Sequence, residues 1–128
     1  MLNRSGITKT EYGAPRQILA NVEHQMSVGC IVAQAVGVTV GTKKIAKAGT
    51  PIIVDFGNLQ TPATAGTGTG ATPTANAVLL HDVDVTNGNA NGTALYFGVV
   101  NINRLETSVQ ALVAAGINKI GAVSFIKA

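Results

Sequence analysis

The sequence predicts a mainly β, compact domain of sandwich-like or barrel-like build, carrying one short amphipathic helix and preceded by an extended N-terminal arm. Three observations predict it. Val- and Ile-rich runs are punctuated by glycine, the second half contains a strand-turn-strand block, and only one segment spaces its apolar residues as a helix does. A chain of 128 residues fits one domain and can bury roughly two-thirds of its unfolded surface, which suffices without disulfides or metals. The lone Cys30 agrees with that.

Residues 1–22 read as a polar arm of mixed charge with a Gly-Ala-Pro break at Gly13 to Pro15, a kind of segment that is often unordered alone. Tyr12, Ile18 and Leu19 are apolar residues in that polar context. They either become buried on a partner or drape over their own domain. The domain itself is expected over residues 23–128.

The run SVGCIVAQAVGVTV, residues 27–40, suits one or two buried strands better than a helix. Lys43, Lys44 and Lys47 follow and read as an exposed turn. Residues 51–56, PIIVDF, give another strand, with Pro51 tolerable at its first position or on an edge. Residues 61–75, TPATAGTGTGATPTA, contain no charge and nothing larger than proline among their apolar residues. They are expected to contribute nothing to the core and to form a flexible excursion or a segment ordered by a neighbouring subunit.

Residues 76–85 read as a strand, Asn87-Gly88 and Asn91-Gly92 as turn signals, and residues 93–100 as the returning strand of an antiparallel hairpin. Gly98 in the return strand marks a bulge or a close backbone approach. Asn103 with Glu106 resembles a capping box, and Leu105, Val109, Leu112 and Val113 recur at helical spacing, predicting a helix over 104–115 closed by Gly116. A last strand is expected over 120–126.

Composition narrows the function. Charged residues make up 12% of the chain and apolar residues 46%, against roughly 25% charged in an average globular protein. Thr, Asn and Gly do not keep neighbouring copies apart as charge does, so much of the surface is expected to be covered by other copies or by a partner. The net charge is +3, but the basic residues form no stripe with interleaved aromatics, so no nucleic-acid partner is expected. No apolar run reaches the roughly 18 residues that span a bilayer, so no membrane partner is expected either. The start MLNRSGITKTEYGAPRQ lacks the apolar segment of a signal peptide, which predicts synthesis in the cytoplasm.

Reactive groups are few. Cys30 could pair with His24 or His81, yet a thiol inside an apolar strand is more simply a small buried side chain. On a regular strand Asp82 and Asp84 share one face and His81 the other, with Leu79 and Val83. Two carboxylates on one face could bind a hard cation. The comparison with a calcium loop fails, however, because Gly88 comes one position late and Thr93 stands where the closing Glu belongs. The glycines at 66–70 precede no helix that could hold phosphate. No catalytic residue, cofactor or metal is expected, and the chain is not expected to be an enzyme.

The block AVLLHDVDVTNGNANGTALYFGVVNINRLE, residues 77–106, resembles the C-terminal half of decoration (cementing) proteins of tailed-phage heads, the lambda-type family in its versions from phages of Gram-positive hosts. The pattern there is a G/A-V-L-L-x-D-V-D strand, a small-residue turn, a return strand ending in G-x-V-N, and a short helix. Asp82-Val83-Asp84, Gly98, Asn101 and Arg104-Leu105 stand in the matching places. The uncharged insert at 61–75 departs from it.

The resemblance implies a homotrimer on the outer surface of the expanded capsid at three-fold positions, bracing major capsid protein subunits. It further implies that the arm pairs with a capsid strand, so Tyr12, Pro15, Arg16, Ile18 and Leu19 are the expected capsid-binding residues. Asp82, Asp84, Asn101 and Arg104 are the expected trimer or shell contacts. Deleting residues 1–20 is then expected to leave a folded trimer that binds the shell poorly. The competing readings are another virion component, such as a head fibre base, a tail-tube subunit or an adhesin module, and a small hydrolase or metal-dependent enzyme.

Overall fold

The computed structural model describes residues 17–20, 25–69 and 73–128, with 116–119 described by backbone alone. It is mainly β, as the sequence predicts, and consistent with a sandwich. The strands are β1 Met26–Val32, β2 Val38–Val40, β3 Lys43–Ala46, β4 Pro51–Ile53, β5 Thr64–Ala65, β6 Ala77–Leu79, β7 Val83–Asp84, β8 Ala90–Asn101, β9 Gly116–Ile120 and β10 Ala122–Ile126. Among the described residues, one α-helical turn, α1, spans Thr107–Gln110, and two 3-10 turns lie at Gln34–Val36 and Ile102–Arg104. One sheet has seven strands; the other has three, in the order β2-β3-β7.

The long strand β8 organises the larger sheet. β1 runs antiparallel to it from Ala90 to Phe97, β6 pairs antiparallel at Ala94 and Leu95, and β10 pairs parallel from Phe97 to Asn101. Phe97 therefore has Met26 on one side and Ala122 on the other. The register jumps between Met26 and Ser27, which pair with Phe97 and Leu95. Tyr96 is the extra residue of a β-bulge, just ahead of Gly98 where the sequence pointed to one.

Alternation along these strands buries the larger sheet on both faces. Ala77, Leu79 and Ala94 pack with Ala46, Val83 and Val85 of the smaller sheet and its flank. Val78 and Leu95 point the other way, onto Ile102, Leu105, Val109 and Val113 of the segment after β8, together with Ile120, Val123 and Phe125. A strand covered on both sides reads as a continuous apolar run, which is why residues 77–80 show no polar alternation.

Several expectations are corrected. The strand expected over 76–85 breaks after Leu79: Leu80 N–H still donates to the Thr93 carbonyl, but Val83 and Asp84 cross to the smaller sheet and pair with Ala46 and Ile45. His81 sits at the break, exposed, and does not share a buried face with Leu79 and Val83. Lys43 and Lys44 open β3, and Lys47 is half-buried with its Nζ 3.0 Å from Glu106 Oε1. That ion pair takes the carboxylate which the capping-box pattern assigned to the helix start. The helix is much shorter than 104–115, and the capping oxygen belongs to Asn101, which accepts from the Asn103 N–H at the first 3-10 turn after β8. The final strand is a hairpin, β9 and β10, folded tightly at Gly121 with φ +56°.

The uncharged segment, described over 61–69 and 73–75, also differs from expectation. Ala63 and Ala75 are buried in the two core clusters, Gly66 N–H donates to the Pro51 carbonyl, and Gly68 bridges Val113. A β-carbon at Gly68 would collide with the Leu112 carbonyl oxygen. The small residues here are what lets the backbone lie directly on the domain.

Candidate interaction surface

The residues expected to carry chemistry are dispersed. Asp82 is partly buried, and its Oδ1 accepts the Ala48 N–H at 2.7 Å, tying the strand break to the end of β3. Asp84 is exposed and lies 3.7 Å from Lys43 Nζ. Hydrogen bonds from the Thr86 hydroxyl and N–H hold its carboxyl below the usual carboxylate range, and Lys43 adds to this. The two carboxylates thus serve different neighbours. Cys30 is buried, and burial raises its thiol pKa. His24 lies outside the described residues; among the described ones, no three of His, Cys, Asp and Glu form a group able to hold a metal.

Asn101 and Arg104 form a node at the end of β8. Asn101 is buried; its N–H donates to the Ile18 carbonyl, and its Oδ1 accepts from the N–H groups of Asn103 and Ala128 at 3.1 and 3.3 Å. Arg104 is exposed and donates from Nη1 to the Leu19 carbonyl at 2.9 Å. The Oδ1 of Asn101 is thereby bonded within its own chain and the residue is buried, while Arg104 is exposed.

Of the arm residues, Tyr12, Pro15 and Arg16 lie outside the described residues. Ile18 and Leu19 take the second of the two alternatives: both are buried in their own domain's core. Leu19 bridges Val100 in antiparallel sense, and Ala20 N–H donates to the Val99 carbonyl. The sequence pattern hid this because residues 18–19 are too short a run to declare a strand.

The surface the sequence reading missed is apolar and aromatic. Met26 is 53% exposed, Phe56 48%, Phe97 45% and Ile126 40%. Phe56 and Tyr96 meet edge to face with ring centroids 5.6 Å apart. Leu95 and Val100 both face the core, so the bulge between them turns Tyr96 and Phe97 to the same outer side. Met26 and Ala122 flank Phe97 across the sheet, and Ile126 follows on the outward side of β10. Three of the chain's five aromatic residues, two Tyr and three Phe, stand on this face. Gly98 was the one visible signal, since a bulge is what lets consecutive residues share a side.

A shallow cleft of about 470 Å³ adjoins β1, lined by Gly29, Cys30, Leu59, Gln60 and Asn91 among others. It contains no charged side chain. A second, about 310 Å³, lies between Val38, Pro51, Val109 and Leu112, with Lys47 at its side. No helix among the described residues is long and apolar enough to cross a membrane.

Set against known protein families and curated proteins, the chain matches no family model and none of those proteins.

Proposed function

We propose that this protein is a non-enzymatic structural subunit that works by sharing surface with an assembly. In its specific form the reading is a decoration protein: a trimer that binds the outer surface of the expanded head of a tailed phage at three-fold positions and stabilises the shell. The observation that carries it is the face of exposed Met26, Phe56 and Phe97 with the partly exposed Tyr96, on a chain with only 12% charged residues. Such a face is costly to leave in water and marks a contact surface. The resemblance of residues 77–106 to phage decoration proteins supplies the setting.

The mechanism is additive. Each copy contributes a modest area, trimerisation brings three attachment segments to one site, and linked contacts raise the overall avidity by orders of magnitude over a single one. Residues ahead of Gln17, with Tyr12, Pro15 and Arg16 among them, would engage a strand of the major capsid protein, while Ile18 and Leu19 anchor that segment to its own domain.

The test mixes purified protein with expanded, undecorated heads and with unexpanded ones, then measures co-sedimentation and survival of the heads on heating. Saturable binding to expanded heads and a higher survival temperature are expected. Binding to neither form overturns the reading, and open polymerisation into tubes without head binding replaces it with a tail component.

A further inference from the structure

We propose that Asn87 is a site of spontaneous covalent modification, where the Asn87-Gly88 turn closes to a succinimide and reopens as an aspartyl or isoaspartyl linkage. The inference is independent of the capsid reading.

The sequence holds Asn-Gly twice, at residues 87–88 and 91–92. Asparagine is thermolabile, and a following glycine makes it more so, because no side chain shields the glycine nitrogen and its backbone turns freely. The reaction balances with water alone. The Gly88 nitrogen gives up its proton and bonds to Cγ of Asn87, while the Cγ–Nδ2 bond breaks and ammonia leaves. Water then splits the ring. Cleavage at Cγ leaves an ordinary aspartyl residue, and cleavage at the backbone carbonyl carbon sends the main chain through Cγ as isoaspartyl.

The fold separates the two Asn-Gly pairs. Ring closure needs a rotation about the asparagine Cα–C bond that carries the next nitrogen to Cγ. Asn87 is exposed and lies in a turn between β7 and β8. Gly88 has φ +132°, and nothing lies within 4 Å of where its β-carbon would stand. A 3.2 Å bond from the Gly88 N–H to the Val85 carbonyl is what must be released first. Asn91 and Gly92 lie inside β8, paired with Ile31 and Cys30. Successive residues of a strand turn their backbone groups to opposite neighbours. Thr93 gives its carbonyl to the Leu80 N–H, so Gly92 faces β1, and its nitrogen is freed only when that ladder opens.

The turn has its own dependants. Gln34 N–H donates to Asn89 Oδ1 at 2.9 Å, and Gln34 Nε2 donates to the Thr86 carbonyl at 3.1 Å. Residues on both sides of Asn87 thus brace the 3-10 turn at Gln34. The isoaspartyl form adds a carbon to the main chain between them. Either product adds a carboxylate, ionised at neutral pH, to a turn that already carries Asp84 bonded to the Thr86 N–H.

Incubating the folded full chain at mildly alkaline pH tests this. Peptide mass mapping follows conversion at each asparagine, and labelling by an isoaspartyl methyltransferase counts the isoaspartyl product. Asn87 is expected to convert roughly tenfold or more faster than Asn91 in the folded chain, with the ratio falling to near one in urea, where the ladder is gone. Asn87→Gln, which would need a six-membered ring, is expected to abolish labelling of the turn and leave the rate at Asn91 unchanged. Amide exchange at Gln34 is expected to speed up in the isoaspartyl fraction. A ratio near one in the folded chain overturns the site, and a ratio that persists in urea overturns its selection by the fold.

Discussion

Arg104 Nη1 lies 2.9 Å from the carbonyl oxygen of Leu19, so the turn that ends β8 clamps the segment that precedes β1. Together with the Asn101 N–H bond to Ile18, it makes residues 18–20 part of the folded domain.

The first prediction concerns truncation. Removing residues 1–16 is expected to leave thermal stability nearly unchanged while weakening attachment to expanded heads. Removing residues 1–20 also deletes Ile18 and Leu19, two fully buried side chains worth about 1.5–3 kcal/mol each, and is expected to lower the melting temperature sharply. Circular dichroism melts of the two truncations, beside head co-sedimentation, check it. Equal melting temperatures would show that the Ile18 and Leu19 contacts add nothing.

The core on either face of the larger sheet should be sensitive to truncation. Leu95→Ala removes a fully buried side chain that packs with Val78 and Val123, and is expected to cost about 2–5 kcal/mol. Urea denaturation measures it. A cost below about 1 kcal/mol would mean that the site collapses to fill the gap.

Acid should reach the smaller sheet through Asp84. Its carboxyl pKa is lowered in the fold by Thr86 and Lys43, so the charged form contributes stability above the ordinary value of 3.8, and that contribution is lost as pH falls through the folded value. Asp84→Asn is expected to lose some stability at neutral pH and to converge with wild type below that range. Parallel melts at pH 7 and at a descending series of pH values below 3.8 test this; a gap that does not shrink as the pH falls would remove Asp84 as the cause.

Close packing around Gly68 predicts that Gly68→Ala destabilises by about 1–3 kcal/mol, the usual cost of overpacking, because the added carbon meets the Leu112 carbonyl. Gly88→Ala provides the contrast: its β-carbon meets nothing, although its φ of +132° carries its own backbone cost. Hydrogen exchange of the Thr67 and Ala75 amides, bonded to Thr74 Oγ1 and the Thr67 carbonyl, should speed up in Gly68→Ala only.

The sequence made the strands legible where Val and Ile cluster: β4 and β6 fall inside runs that composition alone marks and β1 starts one residue ahead of its run, but β8 extends back to Ala90 through Asn91-Gly92, which pair with Ile31 and Cys30 and form no turn. What it hid depends on partners distant in the chain. Asp82, beside the strand break at His81, reaches back to the Ala48 N–H, and just past the short helix Val113 bridges Gly68. Neither partner is visible in a local window. The interaction surface was hidden for a related reason. Strict alternation would send Tyr96 and Phe97 to opposite sides, and only the shift of register against Met26 turns both outward.

Gly68 against the Leu112 carbonyl has an evolutionary consequence. A Thr-Gly-Ala stretch resembles filler, the sort of sequence that drifts freely between relatives. Here a methyl group already exceeds the available room, so substitutions at that glycine should be purged as strictly as those in an aliphatic interior. The same crowding makes it a poor place to insert a peptide for surface display, whereas the Gly88 turn, with space above it, is the better graft point.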